Sequence, residues 1–196
     1  MAFDFDSTTG YVSRATTPIT ATPISIACWC TADITSGRVL GGIGSSTASG
    51  GFMIGTTSGG LNFYAQTEAA GTAVRSLSAS AYTAGTIYHV AGTFASATDR
   101  LVYQDGVAGT VNATSKTPVS LDTTCIGIYI RSAVATSFWD GRIWEFGIWN
   151  VVLDAARTVH EVMDLSFKHR LEILLHLSPR NFDDDTQIHG TLCRDV

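Results

Sequence analysis

The chain has 196 residues, of which 45% are hydrophobic and 15% charged, and a formal net charge of -5. Ordinary globular domains carry roughly 25% charged residues and disordered chains are poorer in apolar ones, so wholesale disorder is excluded and one domain, with or without an appendage, is expected. No Lys/Arg cluster supplies the electrostatic footprint of a nucleic-acid binder, and no run approaches the ~18 apolar residues that a membrane span needs.

At the amino end, Met1-Ala2-Phe3-Asp4-Phe5-Asp6 puts acidic residues where a secretory signal would carry a basic region, so synthesis in a cytoplasm without a signal peptide is expected. Short runs rich in β-branched and aromatic residues then follow, bounded by Gly, Ser, Thr and Asp. Residues 24–31, 38–43, 51–55, 61–65, 86–94, 100–104, 124–130 and 141–149 read as strands. Asp105-Gly106, between Leu101-Val102-Tyr103 and Val107, predicts a tight hairpin with positive φ at both central residues. So many short strands without an intervening helical pattern argue for an all-β, antiparallel two-sheet sandwich, with Ile24, Ile26, Val90, Phe94 and Ile143 in its core.

The texture changes near Asn150. Residues 1–150 hold 39 Ser plus Thr, 18 of the 19 Gly and 16 charged residues, whereas the remainder holds 13 charged residues and four of the five His. The expected division is a domain over 1–153 and a short helical segment with a tail over 154–196. Asp154 can cap a helix reaching Leu165 and Ser166 a second one. Phe167, Leu171, Leu174 and Leu175 then fall at helical spacing, with Ile173 and Leu177 widening the stripe. If the sandwich closes near Asn150, these side chains exceed what one helix on a sheet edge can bury, which predicts an assembly surface. Packing across the domain's own sheet is the alternative.

Residue types for catalysis are sparse. His89 lies mid-strand in Tyr88-His89-Val90, where a packed histidine outweighs a general base. Glycoside hydrolysis needs two facing carboxylates, and Glu145 stands alone between Trp144 and Phe146, so no enzyme is expected. Asp4, Asp6 and Asp140 could supply hard oxygen ligands to calcium, with solvated carboxylates as the plainer reading. Trp29, Trp139, Trp144 and Trp149 could form a sugar-stacking platform, though core packing suits at least two of them. Cys28 and Cys30 flank Trp29 on a strand, so their sulfurs share a face about 7 Å apart and read as free buried thiols rather than a disulfide or a zinc pair.

Three segments, Phe3-Asp4-Phe5-Asp6, Ile24-Ser25-Ile26-Ala27-Cys28-Trp29 and Ile87-Tyr88-His89-Val90-Ala91-Gly92-Thr93-Phe94, resemble successive strands of concanavalin A-like, laminin G-like jelly-roll domains. Leu101-Val102-Tyr103-Gln104-Asp105-Gly106 resembles that family's "LYVDG" hairpin, and Phe138 to Asn150 its closing "F-x-G-x-I-x-E-x-x-I-W-N" strand. The resemblance spans roughly residues 1–165 and implies two packed, curved antiparallel sheets. In calcium-binding relatives, acidic residues near the first strand and before the closing strand can hold the ion, which maps onto Asp4 or Asp6 and Asp140. The tail departs from the pattern, because His169 to Val196 shows no apolar "Y-x-P-L" return strand.

A short, acidic, Ser/Thr/Gly-rich domain of this kind is similar to the minor structural proteins of tailed phages. That likeness implies a non-enzymatic virion protein, a capsid decoration or a fibre or tail component, with capsid or tail proteins and its own copies as partners and glycan binding as an added capacity. A carbohydrate-binding module or lectin is the alternative, and a glycan hydrolase the third reading.

Overall fold

A computed structural model describes residues 2–153 apart from Pro18 and Gly60. The expected helical segment and tail over 154–196, with Phe167, Leu171, Leu174 and Leu175, lies outside the described residues. The strands in chain order are β1 (Ala2–Asp6), β2 (Val12–Arg14), β3 (Ile24–Ala32), β4 (Val39–Gly44), β5 (Gly50–Thr56), β6 (Asn62–Ala69) and β7 (Thr72–Ala81). They continue with β8 (Tyr88–Ser96), β9 (Asp99–Gln104), β10 (Val107–Ala108), β11 (Thr123–Ile126), β12 (Tyr129–Arg131), β13 (Val134–Thr136) and β14 (Asp140–Trp149).

Two six-stranded antiparallel sheets face each other, which is the sandwich expected from the sequence. The first has the order β1-β14-β3-β8-β9-β10 and the second β2-β11-β4-β5-β6-β7, while β12 and β13 form a separate hairpin. Side chains alternate along each strand, so one set meets between the sheets. From the first sheet come Ile24, Ile26, Cys28, Cys30, Val90, Phe94, Val102 and Ile143; from the second come Leu40, Ile43, Phe52, Ile54, Phe63, Ala65 and Ile126. All five core residues expected from the sequence are among them. Each large side chain removed from water in this way contributes about 1.5–3 kcal/mol.

One long side of the sandwich is closed by the chain that follows β10. Gly109 N donates to Val102 O on β9 at 2.8 Å, and Thr110 N to Leu77 O on β7 at 2.9 Å. Inside that seam Arg100 is 1% exposed. Its Nε donates to Thr67 Oγ1 (3.0 Å), Nη1 to Asn112 O (3.1 Å) and Oδ1 (2.9 Å), and Nη2 to Ala97 O (2.6 Å), so a single β9 side chain ties both sheets and the closing segment.

The hairpin at Asp105-Gly106 has φ of 50° and 78° at its two central residues, as the sequence predicted. Two readings are corrected. Residues 124–130 are not one strand: Gly127, with φ of 77°, ends β11 and sends the chain into the hairpin β12–β13. The ten residues of β7 went unread, because the inward positions carry Ser76 and Ser78 rather than apolar side chains.

Candidate functional site on the outer face of the second sheet

With Ile43, Phe52, Ile54, Phe63 and Ala65 turned into the core, the alternate residues of β4, β5 and β6 must face outward. The registers set them in three rows across the sheet. Val39, Gly55, Tyr64 and Leu77 form one; Gly42, Met53, Gln66 and Arg75 the next; Gly44, Gly51, Glu68 and Ala73 the third. Four of the six outward positions on β4 and β5 are therefore glycine, and the polar side chains that stand up belong to β6 and β7.

The β12–β13 hairpin folds over the glycine side of this face. A Cβ at Gly44 would stand 2.4 Å from Ile130 O, so only glycine admits the hairpin there, and one at Gly51 would stand 2.4 Å from Ile43 O on β4 and 3.2 Å from the Tyr129 ring. Tyr129 consequently lies down against the sheet, packed with Val39, Met53 and Tyr64. Arg131, at the hairpin's far end, reaches the opposite wall, where its Nε sits 2.9 Å from Glu68 Oε1 and its Nη2 donates to Gly71 O at 3.4 Å.

On that wall Gln66 and Glu68 are each 4% exposed. A buried carboxylate and a buried amide on the outside of a sheet need partners, since an unpaired one costs several kcal/mol. Gln66 Nε2 donates to Glu68 Oε2 at 3.4 Å and faces Met53 Sδ at 3.4 Å. Arg75 Nε donates to Gln66 Oε1, and the Arg75 guanidinium lies 4.8 Å from the centre of the Tyr64 ring. Arg75-Gln66-Glu68-Arg131 is thus one continuous polar row, hydrogen-bonded from Arg75 through Gln66 to Glu68 and closed by the ion pair to Arg131, with a guanidinium at each end. Burial pushes the Tyr64 hydroxyl up to about 12, with the nearby Arg75 charge opposing. Burial and the Glu68 charge push Tyr129 further still.

This architecture can be compared with known proteins. A profile described as the concanavalin A-like lectin/glucanases superfamily matches residues 6–157. The chain belongs to that superfamily. No curated protein matches it in sequence. Among solved structures, the heptameric SAP-like pentraxin of Limulus polyphemus superposes with a TM-score of 0.66 at 11% identity, covering 82% of this chain and 81% of that one. NanB sialidase of Streptococcus pneumoniae gives 0.65 at 11% identity over 81% of this chain, which spans only 27% of the sialidase. The CBM40 of Ruminococcus gnavus IT-sialidase, bound to α2,3-sialyllactose, gives 0.58 at 11% identity, covering 72% and 83%. At such identities the likeness shows the superfamily's fold.

The residues singled out from the sequence sit elsewhere. Asp6 and Asp140 are register partners on β1 and β14, and Asp4 faces Arg142, whose Nε is 3.5 Å from Asp4 Oδ2. Asp6 Oδ1 accepts from the backbone N of Thr8 (3.0 Å), Thr9 (3.0 Å) and Gly10 (3.3 Å), which holds its carboxyl well below the usual range. With Asp6 closing a turn and Asp4 in an ion pair, this set fits a calcium ion poorly; among the described residues no three His, Cys, Asp or Glu side chains converge as a metal site.

Of the tryptophans, Trp139 alone is fully buried, its Nε1 donating to Thr31 O at 3.1 Å, whereas Trp29, Trp144 and Trp149 are half-buried on the outer face of the first sheet. Trp149 packs there against Ala27, Ala91 and Tyr103. His89 shares that face, edge-to-face with Trp29 at 5.3 Å, with its pKa lowered chiefly by burial. Cys28 and Cys30 are free and buried, both pointing into the core as expected.

None of Tyr64, Gln66, Glu68, Arg75, Tyr129 or Arg131 was marked out by the sequence reading. A signal existed: in Phe63-Tyr64-Ala65-Gln66-Thr67-Glu68, the polar side chains alternate with the inward ones beyond Ala65, where the predicted strand stopped.

Proposed function

We propose that this chain is a non-catalytic, glycan-binding structural protein of a virion, with its saccharide on the outer face of the second sheet. The observation that carries the binding reading is the row Arg75-Gln66-Glu68-Arg131, polar groups buried and held in order on a face where neither fold nor core requires them. Fixed donors of this kind, beside aromatic and apolar surface, are what orient a polar ligand. The CBM40 likeness supports the same class of ligand. Glu68 is the only carboxylate in the row and is committed to Arg131, which supports binding without hydrolysis, since that chemistry needs an opposed pair.

The virion setting, with capsid or tail proteins as partners, rests on the acidic, Ser/Thr/Gly-rich composition. Homo-oligomerisation is supported by the heptameric pentraxin neighbour. The test is a glycan array on the full chain, repeated with Arg75→Gln, alongside an assay for saccharide release. Selective binding lost in the variant, with no turnover, is the expected result; turnover, or an empty array, overturns it. A mass spectrum of purified particles lacking the chain removes the virion setting.

A further inference from the structure

Resting on that glycan reading, we infer that the saccharide this face takes carries a carboxylate, gripped end-on by Arg75 with Arg131 adding charge from the hairpin side. The chain as a whole is acidic, at -5, which by itself would repel an anion. Within the row, however, the two guanidiniums of Arg75 and Arg131 stand against the one carboxylate of Glu68, leaving a net charge of +1. The exposed ends of the row are both cationic donors, and its acceptors, Gln66 and Glu68, are the buried members. A neutral saccharide would be met by the reverse arrangement as readily; an anionic one is met by this.

The geometry of each guanidinium narrows the chemistry further. Arg75 spends Nε on Gln66 Oε1 and its flat face on Tyr64, and among the described residues neither Nη has a hydrogen-bond partner. Its Nη1–Nη2 edge is therefore a free planar fork that matches the two oxygens of a carboxylate. Because Gln66 and Tyr64 already fix the side chain, binding costs little further ordering. Glu68 is a positioning residue: it orients Arg131, and Arg131 cancels its charge so that it does not oppose the ligand. Leu77, 39% exposed and in register with Tyr64, offers apolar surface to a ring face next to Arg75.

The experiment is isothermal titration of the full chain with sialylated and uronate oligosaccharides, each set against its methyl ester and its neutral counterpart, at low and high salt. The acid should bind at least tenfold more tightly than its ester, and the preference should shrink as salt screens the charges. Arg75→Gln should weaken the acid by roughly ten- to a hundred-fold, the loss of a charge-assisted bidentate contact, while leaving the ester little changed. The paired variant Glu68→Gln/Arg131→Gln, which leaves no buried charge unmatched, should weaken it less. Equal binding of acid and ester overturns the carboxylate while leaving a glycan site in place. Acid binding untouched by both variants places the site elsewhere, and failure of every saccharide defeats the underlying glycan reading as well.

Discussion

Trp144 and Phe146, two residues apart on β14, point to opposite faces of the first sheet. Trp144 pairs with Trp29 on the outside, whereas Phe146 packs into the core beside Ile143 and Ile148. Residues at that spacing normally share a face. Glu145 between them has φ of 48° and marks the register shift that ends at Gly147, a bulge that inserts one extra residue and re-aims everything after it. A β-branched side chain tolerates that left-handed backbone badly. Glu145→Ile should therefore lower stability by about 1–2 kcal/mol in urea denaturation, more than the same change at exposed Arg142. Equal effects at the two positions would refute the bulge.

Arg100 gives a second test. Its guanidinium makes four hydrogen bonds inside the closing seam, to Thr67, Asn112 and Ala97. Arg100→Met fills much of the volume but strands those acceptors, so a loss of roughly 2–4 kcal/mol is expected. Arg100→Lys should recover only part of it, because one ammonium cannot span acceptors that a planar fork reaches. A lysine variant as stable as the parent would show that the charge alone matters.

Acid should weaken the fold through His89. Burial lowers its pKa below the ordinary 6.5, outweighing the Asp105 and Glu145 charges that act the other way. The unfolded chain then takes up the proton first as pH falls, so stability is full above about 6.5 and declines as pH drops toward the lowered folded value. Melting temperatures from pH 7.5 to 5 should fall less steeply in His89→Gln than in the parent. Parallel curves would remove His89 from the acid response.

Chelation addresses the acidic corner of β1 and β14. With Asp6 Oδ1 accepting three backbone amides and Asp4 beside Arg142, adding EDTA should leave the melting temperature unchanged. A ligand that binds only the folded chain raises its apparent stability. A drop of several degrees in chelator would therefore establish the calcium that the jelly-roll resemblance implies.

The sandwich was legible where strands bury one face with apolar side chains. Ile24 to Thr31 matched β3 to within one residue of Ile24–Ala32, and Asp105-Gly106 marked the hairpin. β7 was invisible for a physical reason: Ser76 Oγ accepts from Val102 N at 2.9 Å and Ser78 Oγ from Phe63 N at 3.1 Å, so hydrogen bonds replace the apolar period that a pattern reading seeks. The polar row was hidden more deeply. Arg131 meets Glu68 only because Gly127 breaks what looked like one strand and the hairpin then crosses the sheet. Local spacing carries no trace of such a crossing.

The flatness of Gly44 and Gly51 also bears on how this surface can diversify. Any substitution of a glycine adds at least a Cβ, and at these two positions that atom meets the backbone of the hairpin or of β4. The floor is thus frozen against gradual change. New surface chemistry must arise on the uprights, at Leu77 and the turn between β12 and β13, where side chains are exposed and exchange costs little stability. Descendants of this chain should share a floor and differ in their walls.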